Sequence, residues 1–368
     1  MRSEAHDDDL FLEGPVLGIE TSCDETAVGI VAGGRVLAAC FSTQIPLHRR
    51  FGGVVPEVAS RNHLLSLVPT LEAALEQAGL HLGDLVGVAV TARPGLLGAL
   101  LVGVQSAATL AWRRGLPLVG VHHIEAHCWA AMLDGAAGDG ARPRLPALAL
   151  AVSGGHTSLF RMDGPGEVAL LGQTLDDAAG EALDKFGKII GLPYPAGPII
   201  DRLAERGDRE RFPLPRGMRG RDDLAMSFSG LKTAGRQLAE ALAAEGEDVL
   251  AAARDDLCAS YQEAAVAQLV DTTMRALDRT RLKDLVIAGG VAANSRLRER
   301  MAEACAARGV AFWPVAPRLC TDNGAMVAGL GSSLLARGVR DDPLLLDAAP
   351  TARPAIAEVR ASARGARR

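Results

Sequence analysis

Two histidines four residues apart, His123 and His127, have the spacing of a metal-binding pair. On a helix, side chains at this spacing project from one face within about 6 Å, so two imidazoles can hold one ion. The pair follows the apolar stretch 118–121, and the ends of such strands are where α/β sheets bind ligands. The spacing predicts a metal site, with a structural histidine pair as the alternative.

The third expected ligand is Asp322, because an internal repeat of the chain places it in the second half where the histidines stand in the first. Two imidazoles and one carboxylate leave coordination positions open for a substrate, as in catalytic zinc and non-haem iron sites. The zinc-protease motif His-Glu-x-x-His does not fit, because Glu125 lies about 200° around the helix from His123. We therefore expect Glu125 to point away from the ion.

A loop of glycine and hydroxyl residues, 153–157, follows the apolar strand 148–152. A comparable polar loop follows the first strand of the segment 15–42. Backbone N–H groups and hydroxyls in such loops bind anions, so the two copies predict a phosphate clamp. Residues 227–233 resemble a P-loop superficially, but they lack its upstream glycine, and Ser229 is expected to cap a helix instead.

Residues 176–190 predict an amphipathic helix with Asp177, Glu181 and Asp184 on its charged face. Carboxylates in this position suit the hydroxyls of a ribose, although a charged face is often only solvated. Residues 289–294, with two glycines at a strand end, offer a place for the base or sugar of a nucleotide, or only a turn. The buried stripe of the helix is expected to consist of Leu175, Ala179, Ala182, Phe186 and Ile189.

The elements that must position these residues occur twice along the chain. Each half contains three short strands, a helical stretch, a strand, an apolar helix, and a final strand that leads into another helix. Strands that alternate with helices predict a largely parallel sheet covered on both faces, with ligands outside the strand carboxyl ends. Two such halves predict an α/β protein of two domains around a central cleft.

The length of 368 residues and the apolar content of 48% are sufficient for two hydrophobic cores. We expect a first half at 15–135 and a second half at 136–340. The second half is expected to carry a helical, arginine-rich insertion at about 173–260. Residues 1–14 and 341–368 are expected to be a disordered tail and a flexible tail, respectively.

No segment predicts contact with a membrane. The most apolar run, 96–112, is interrupted by Gln105, Ser106 and Thr109, which favours a buried helix. Acidic residues near the start argue against an export signal, and six cysteines without a Cys-x-x-Cys pair indicate reduced thiols. We therefore expect a cytoplasmic protein.

The net charge of -5 does not by itself indicate a nucleic-acid partner, but residues 202–221 carry a local balance of +4. This segment is either a solvated insertion or a contact for a phosphate backbone. Arginines at the C-terminal end, from Arg360 to Arg368, could act similarly, but a disordered basic end is the favoured explanation for them. The arginines of the segment are Arg202, Arg206, Arg209, Arg211, Arg216, Arg219 and Arg221.

Eight motifs in order between about residues 15 and 335 resemble the TsaD (Gcp) family, the tRNA N6-adenosine threonylcarbamoyltransferases. The resemblance implies a duplicated actin/Hsp70-like (ASKHA) fold of two domains. It also implies that His123, His127 and Asp322 bind one divalent ion, iron(II) or alternatively zinc. The motifs are residues 18–26, 52–57, 122–127, 153–157, 176–181, 227–233, 288–294 and 320–324.

The family reaction transfers a threonylcarbamoyl group from threonylcarbamoyl-AMP to N6 of the adenosine that follows the anticodon of a tRNA. The resemblance implies TsaB-like and TsaE-like protein partners, while no side chain stands out as a general base. Two alternatives share the fold, namely an ATPase or small-molecule kinase and a non-catalytic nucleotide-binding scaffold. The positions that match the family's substrate-binding residues are Ala151, Val152, Ser153, Gly154, Gly155, Asp184, Gly197, Asp201 and Asn294.

Overall fold

The computed structural model describes residues 10–134, 141–218 and 223–351, which fall into two compact units. Within these residues, the first unit comprises 10–134, 141–142, 164–168 and 322–351. The remaining described residues form the second unit. Each half of the sequence contributes one five-stranded sheet.

The first sheet has the strand order β3-β2-β1-β4-β5. The hairpin neighbours β1 and β2 are antiparallel, whereas β1 and β4, which are separated in the chain by two strands and two helices, are parallel. Short turns permit only antiparallel neighbours, and parallel neighbours require a crossover. The strands are β1 (Val16–Glu20), β2 (Glu25–Ala32), β3 (Arg35–Thr43), β4 (Gly87–Arg93) and β5 (Leu118–His122).

The second sheet has the order β10-β9-β6-β7-β8. Read from its other edge, as β8-β7-β6-β9-β10, this order matches the first sheet strand for strand. Here too, β6 is antiparallel to β7 and parallel to β9. The predicted duplication is therefore confirmed, but both sheets are mixed rather than largely parallel. The strands are β6 (Ala147–Val152), β7 (Thr157–Gly164), β8 (Glu167–Gln173), β9 (Asp284–Ala288) and β10 (Ala311–Pro314).

Helices α2 and α3 pack their apolar faces against the first sheet. Leu67 of α2 and Leu100 and Val104 of α3 belong to one core with the strand residues Leu17 and Val90. Burial of such side chains stabilises the fold by roughly 1.5–3 kcal/mol each. The helices of this unit are α1 (Ile45–Arg49), α2 (Pro56–Ala78), α3 (Leu97–Arg114), α4 (His123–Trp129) and α12 (Gly324–Ala336).

Helix α12 belongs to the first unit, although the sequence-based division placed it in the second half. Glycines let it approach the sheet at backbone distance, since a Cβ on Gly18 would lie 2.3 Å from the carbonyl oxygen of Gly324. A Cβ on Gly29 would lie 2.2 Å from the backbone nitrogen of Ala325. This close packing ties Asp322, just before the helix, to the unit that carries the two histidines.

The second unit contains the long buried helix α9, on which the amphipathic helix α5 rests. Phe186 of α5 stacks on Tyr261 of α9 with ring centroids 3.8 Å apart. Helix α5 begins at Ala179, so Leu175 precedes it and is 64% exposed, contrary to the predicted buried stripe. The helices are α5 (Ala179–Ile189), α6 (Gly197–Ala204), α7 (Ser229–Glu245), α8 (Glu247–Ala252), α9 (Arg254–Thr280), α10 (Ser295–Ala306) and α11 (Pro317–Cys320).

The described parts of both terminal segments make contacts with the first unit, in contrast to the loose tails that the sequence predicts. Phe11 is buried, and the Leu12 N–H donates to Ser332 Oγ at 2.9 Å. Near the other end, Asp341 Oδ2 accepts the Gly120 N–H at 2.7 Å. Residues 1–9 and 352–368, including the terminal arginines, lie outside the described residues.

Among the described helices, none combines the length and apolar character that a bilayer span requires. All six cysteines have free thiols, as the sequence predicts.

Candidate functional site

The structure brings the three predicted metal ligands together within the first unit. Helix α4 begins directly after β5 and presents His123 and His127 one turn apart, with ring centroids separated by 4.6 Å. Asp322 precedes α12, which packs on the same sheet. The candidate ligand atoms of the three residues all lie within 4.8 Å of one another.

Both imidazoles direct Nε2 at the same carboxylate oxygen. Asp322 Oδ1 lies 3.0 Å from His127 Nε2 and 3.6 Å from His123 Nε2. Both histidines are buried, and two neutral imidazoles with a carboxylate form a donor set suited to a divalent transition metal. The three residues could therefore hold one such ion.

Glu20, at the end of β1, holds the first histidine from behind. Its Oε2 lies 2.9 Å from His123 Nδ1 and also accepts the Thr91 hydroxyl at 2.6 Å. Its Oε1 accepts the Ser22 N–H at 2.6 Å. A carboxylate in this position assigns the proton to Nδ1 and leaves the Nε2 lone pair for an ion. The role of Glu20 is not among the sequence-based predictions, although an acid at the end of an apolar strand is a signal for it.

The electrostatics favour a positive charge at His123. Burial by itself would lower the pKa of this histidine, but the carboxylates of Glu20 and Asp322 outweigh burial and raise it to about 9. Burial would raise the pKa of Glu20, whereas the charge and hydrogen bond of His123 bring it below its usual value. A proton or a metal cation can supply the charge that the two carboxylates stabilise.

The neighbouring polar residues of α4 have structural partners. Glu125 Oε1 accepts the Gly166 N–H, so this carboxylate is engaged away from the histidine pair, as the helix geometry predicts. His122 caps α4, because its Nδ1 accepts the Glu125 N–H at 3.4 Å.

The predicted phosphate loop forms a tight turn at the end of β6 in the second unit. The Ser153 N–H donates to the His156 carbonyl at 2.8 Å, and Ser153 Oγ accepts the His156 N–H at 3.2 Å. Thr157 Oγ1 accepts the Ala179 N–H at the start of α5. Both hydroxyls therefore stabilise the fold, and the open part of the loop is its glycine backbone.

That open part consists of Gly154 and Gly155, where an added Cβ would meet no atom within 4 Å. The preceding residues, Ala151 and Val152, end β6 and are buried. Gly289 brings the end of β9 beside β6, since a Cβ there would lie 2.4 Å from the Val152 carbonyl oxygen. The neighbouring strand ends thus expose a glycine surface that a ligand can approach.

Three predicted polar site residues also hold helix starts in place. Asp184 Oδ1 accepts the N–H groups of Ala196 at 2.7 Å and of Gly197 at 3.2 Å, just where α6 begins. Burial raises the pKa of Asp184, while these two hydrogen bonds oppose the shift. The side chains of Asp201 and Asn294 act similarly at α10.

Asp201 accepts both the N–H and the hydroxyl of Ser295, at 3.0 and 2.8 Å. Asn294 Oδ1 caps the same helix by accepting the Leu297 N–H at 2.9 Å. The other end of this amide donates to Gln262 Oε1 of α9 at 2.9 Å. The predicted ribose and base residues thus form a connected part of the second unit.

The expectation that Ser229 caps a helix is wrong. Ser229 is the first residue of α7, and the preceding Phe228 makes no side-chain cap. Asp176 serves this end of the helix instead, because its carboxylate accepts the Phe228 N–H at 2.7 Å and the Ser227 hydroxyl. Such a distant cap cannot be deduced from local sequence.

Comparison with known proteins decides the family. The tRNA N6-adenosine threonylcarbamoyltransferase family, TsaD, matches residues 35–329. A tRNA N6-adenosine threonylcarbamoyltransferase of Sorangium cellulosum is 48% identical over 96% of this chain and 99% of its own length. One of an Anaeromyxobacter species is 52% identical over 88% of this chain and 96% of its own. The chain belongs to the TsaD family.

Membership of the TsaD family makes the chain a tRNA-modifying transferase, the first of the three functions considered from the sequence. It also confirms the resemblance of the eight motifs, which span nearly the same part of the chain. The kinase and scaffold alternatives explain neither the family match nor the joined histidines and aspartate.

The solved structures agree on the fold of this TsaD family member. HypF of T. kodakarensis is similar with a TM-score of 0.55 and 15% identity, over 91% of this chain and 50% of that one. The chain thus spans about half the length of that protein. With the repeated strand order, this likeness confirms the two-domain α/β fold of the actin/Hsp70-like class.

Proposed function

We propose that the chain transfers a threonylcarbamoyl group from threonylcarbamoyl-AMP to N6 of the adenosine that follows the anticodon, in tRNAs that read codons beginning with A. The family match and the printed names of the relatives support the reaction class. The structural observation that carries the proposal is the convergence of His123, His127 and Asp322 beside a carboxylate that orients one imidazole.

These three residues are proposed to bind one divalent ion, with iron(II) preferred and zinc as the alternative. Two imidazoles and one carboxylate match the facial set of non-haem iron proteins and also suit zinc. A bound ion supplies Lewis acidity or an anchor for the adenylate. Glu20 orients His123 for this role, and the buried surroundings of both histidines limit access of water.

The adenylate is proposed to lie at the ends of β6 and β9. The open backbone of Gly154 and Gly155 suits the phosphate, because an anion can approach these glycines without meeting a side chain. Asp184 uses Oδ1 for two backbone N–H groups, and its Oδ2 can accept a hydrogen bond from a ribose hydroxyl. Asn294 is proposed to face the nucleoside, and Gly197 and Asp201 to shape its surroundings.

The reaction makes three physical demands on these residues. The exocyclic amine of adenine is a poor nucleophile, so it must be positioned beside the carbonyl carbon that it attacks. The developing oxyanion and the departing AMP both carry negative charge, which N–H groups and a cation can stabilise. The proposal assigns no side chain as general base.

TsaB-like and TsaE-like subunits are proposed as protein partners. Helix α2 exposes Leu64, Leu65 and Val68 by 66%, 75% and 58%, respectively. Adjacent exposed apolar side chains are typical of protein interfaces. This face of α2 is the surface we propose for the TsaB-like subunit. Because tRNA is the proposed substrate, the activity is placed in the cytoplasm.

The test combines the purified chain with partner subunits, threonylcarbamoyl-AMP and tRNA, followed by nucleoside mass spectrometry. The protein should be isolated anaerobically and its metal content determined by elemental analysis. His127→Ala should lose both metal and transfer while keeping the melting temperature close to that of the wild type. His81→Ala, at an exposed position, is the matched control and should keep both.

Two outcomes would contradict separate parts of the proposal. Full metal occupancy in a His123→Ala, His127→Ala double variant would show that the ion binds elsewhere. No threonylcarbamoyl adenosine from the wild-type chain with all partners present would contradict the reaction itself.

A further inference from the structure

A cavity of about 760 Å³ lies in the second unit, between residues 207–216 and the helices α9 and α10. This volume is within the range of sites for nucleotide-sized ligands. Four arginines, three carboxylates and an aromatic ring line it: Arg209, Arg216, Arg296, Arg300, Asp208, Glu210, Glu263 and Phe212.

The four arginines between residues 206 and 216 fall into two groups. Arg206 forms a two-point ion pair with Asp255, with N–O distances of 2.9 and 3.2 Å. Arg211 pairs with Asp256. Neither of these arginines lines the cavity, whereas Arg209 and Arg216 do. Arg219 and Arg221 lie outside the described residues.

The opposite wall of the cavity is built from two arginines that share one acid. Arg296 and Arg300 are one turn apart on α10, and both contact Glu263 of α9, with Arg296 Nε 2.7 Å from Glu263 Oε2. Arg296 Nη1 also pairs with Glu299 Oε2 at 2.6 Å. A guanidinium has five N–H donors, so these carboxylates still leave some of them for a ligand. The pair is therefore held in place without being fully used.

The cavity adjoins the residues proposed for the adenylate. Ser295, which Asp201 holds by two hydrogen bonds, directly precedes Arg296. Gln262, which is bonded to Asn294, directly precedes Glu263. The two sites are thus joined through successive residues of α9 and α10.

We propose that this cavity receives the tRNA nucleotide next to the adenosine that is modified. Arg209 and Arg216 contact its phosphate, the Phe212 ring supports its base, and carboxylates such as Glu263 accept hydrogen bonds from its ribose or base. A site for a small inorganic anion would require only the arginines. The combination of cations, a ring and acceptors matches the three parts of a ribonucleotide.

The inference rests on the proposed function, because it takes tRNA as the substrate. The sequence predicts one basic surface for residues 202–221. The inference instead assigns some of these arginines to RNA contacts and others to internal ion pairs. Arg211 Cζ lies 5.2 Å from the Phe212 ring centroid, so this internally paired arginine also contacts the ring.

Two double variants with equal loss of charge test the division. Arg209→Gln with Arg216→Gln should weaken tRNA binding and lower the slope of log affinity against log salt by roughly one to two units. Arg206→Gln with Arg211→Gln should leave the slope unchanged. Binding is measured with the partner subunits present, and calorimetry with AMP should give the same affinity for both variants. Equal effects of the two pairs on the salt slope of tRNA binding would overturn the inference.

The aromatic contact is tested separately. Phe212→Leu should lower tRNA affinity roughly tenfold without a change in the salt slope, because stacking involves no counterion release. Phe212→Tyr retains the ring and should restore affinity, which distinguishes stacking from damage to the fold. Unchanged tRNA affinity in Phe212→Leu would show that no base stacks on this ring in the cavity. If the wild type modifies tRNA while all cavity variants bind it normally, the inference fails and the proposed function stands.

Discussion

Glu20 Oε2 lies 2.9 Å from His123 Nδ1, and this contact determines which nitrogen of the ring is available to an ion. Replacing the carboxylate by an amide in Glu20→Gln keeps the shape but removes the charge that makes the imidazole a better ligand. We expect the metal affinity to fall by about 10- to 100-fold, the usual effect of losing such a supporting residue.

A chelator competition titration measures this change. Glu13→Gln, at an exposed position of the same unit, should retain the wild-type affinity. Equal affinities of Glu20→Gln and the wild type would mean that Glu20 does not support a metal ligand.

The raised pKa of Glu25 leads us to expect that the stability of the fold depends on pH. Burial raises its pKa to about 8 and the nearby Asp24 adds to the shift, while the Thr43 hydroxyl opposes it by donating to Oε1 at 2.9 Å. The reference value is 4.5, so between pH 4.5 and about 8 the folded chain binds a proton that the unfolded chain lacks. The free energy of unfolding should therefore decrease as pH rises through this window, and Glu25 should add no slope below it.

Glu25→Gln removes the titrating group and should flatten that part of the profile. Urea unfolding across the window gives the free energy of unfolding at each pH. At the upper end, the variant should be more stable relative to the wild type than at the lower end. Parallel profiles for the two proteins would show that Glu25 titrates normally in the folded state.

The sequence contained enough information for the repeat and for the spacing of the histidine pair, because both depend on local patterns. The His123 and His127 spacing is set by one helical turn, and strand–helix alternation appears directly in the hydrophobic pattern. The membership of α12 in the first unit depends instead on how closely two backbones approach at Gly18 and Gly29. Such packing between distant segments is not visible in a local pattern.

The same limit applies to side chains that bridge distant parts of the chain. Glu20 and His123 are 103 residues apart, and Asp176 caps a helix that begins 53 positions later. Asp184 lies on the charged face of α5, as the sequence predicts. Its hydrogen bonds to two backbone N–H groups depend on where α6 begins in the folded chain, which the local pattern does not show. These contacts change the design of the tests at that residue.

Asp184 should be tested with two substitutions. Asp184→Ala leaves the N–H groups of Ala196 and Gly197 without their acceptor, so it should lower both stability and AMP affinity. Asp184→Asn can keep one oxygen for these N–H groups and removes only the charge. We expect this variant to retain most of the stability and to weaken AMP binding by about 1–3 kcal/mol. Calorimetry that shows full AMP affinity in Asp184→Asn would exclude a charged contact to the ribose.

Gly154 allows the phosphate-binding role of the loop to be separated from its role in the fold. An added Cβ there meets no atom within 4 Å, so Gly154→Ala should leave the free energy of unfolding within about 1 kcal/mol of the wild type. The new methyl group would nevertheless stand on the open face where the phosphate is proposed to approach. Loss of a charge-assisted hydrogen bond there should lower AMP affinity about tenfold or more.

Gly230→Ala is the matched control, because its Cβ also meets no atom and Gly230 belongs to the first turn of α7, not to the loop 153–157. This variant should bind AMP normally, and its small change in stability calibrates the effect of the methyl group alone. AMP titrations of both variants by calorimetry, with urea unfolding alongside, distinguish the two roles. If Gly154→Ala binds AMP as tightly as Gly230→Ala, the phosphate does not approach this turn, and the position proposed for the adenylate is wrong.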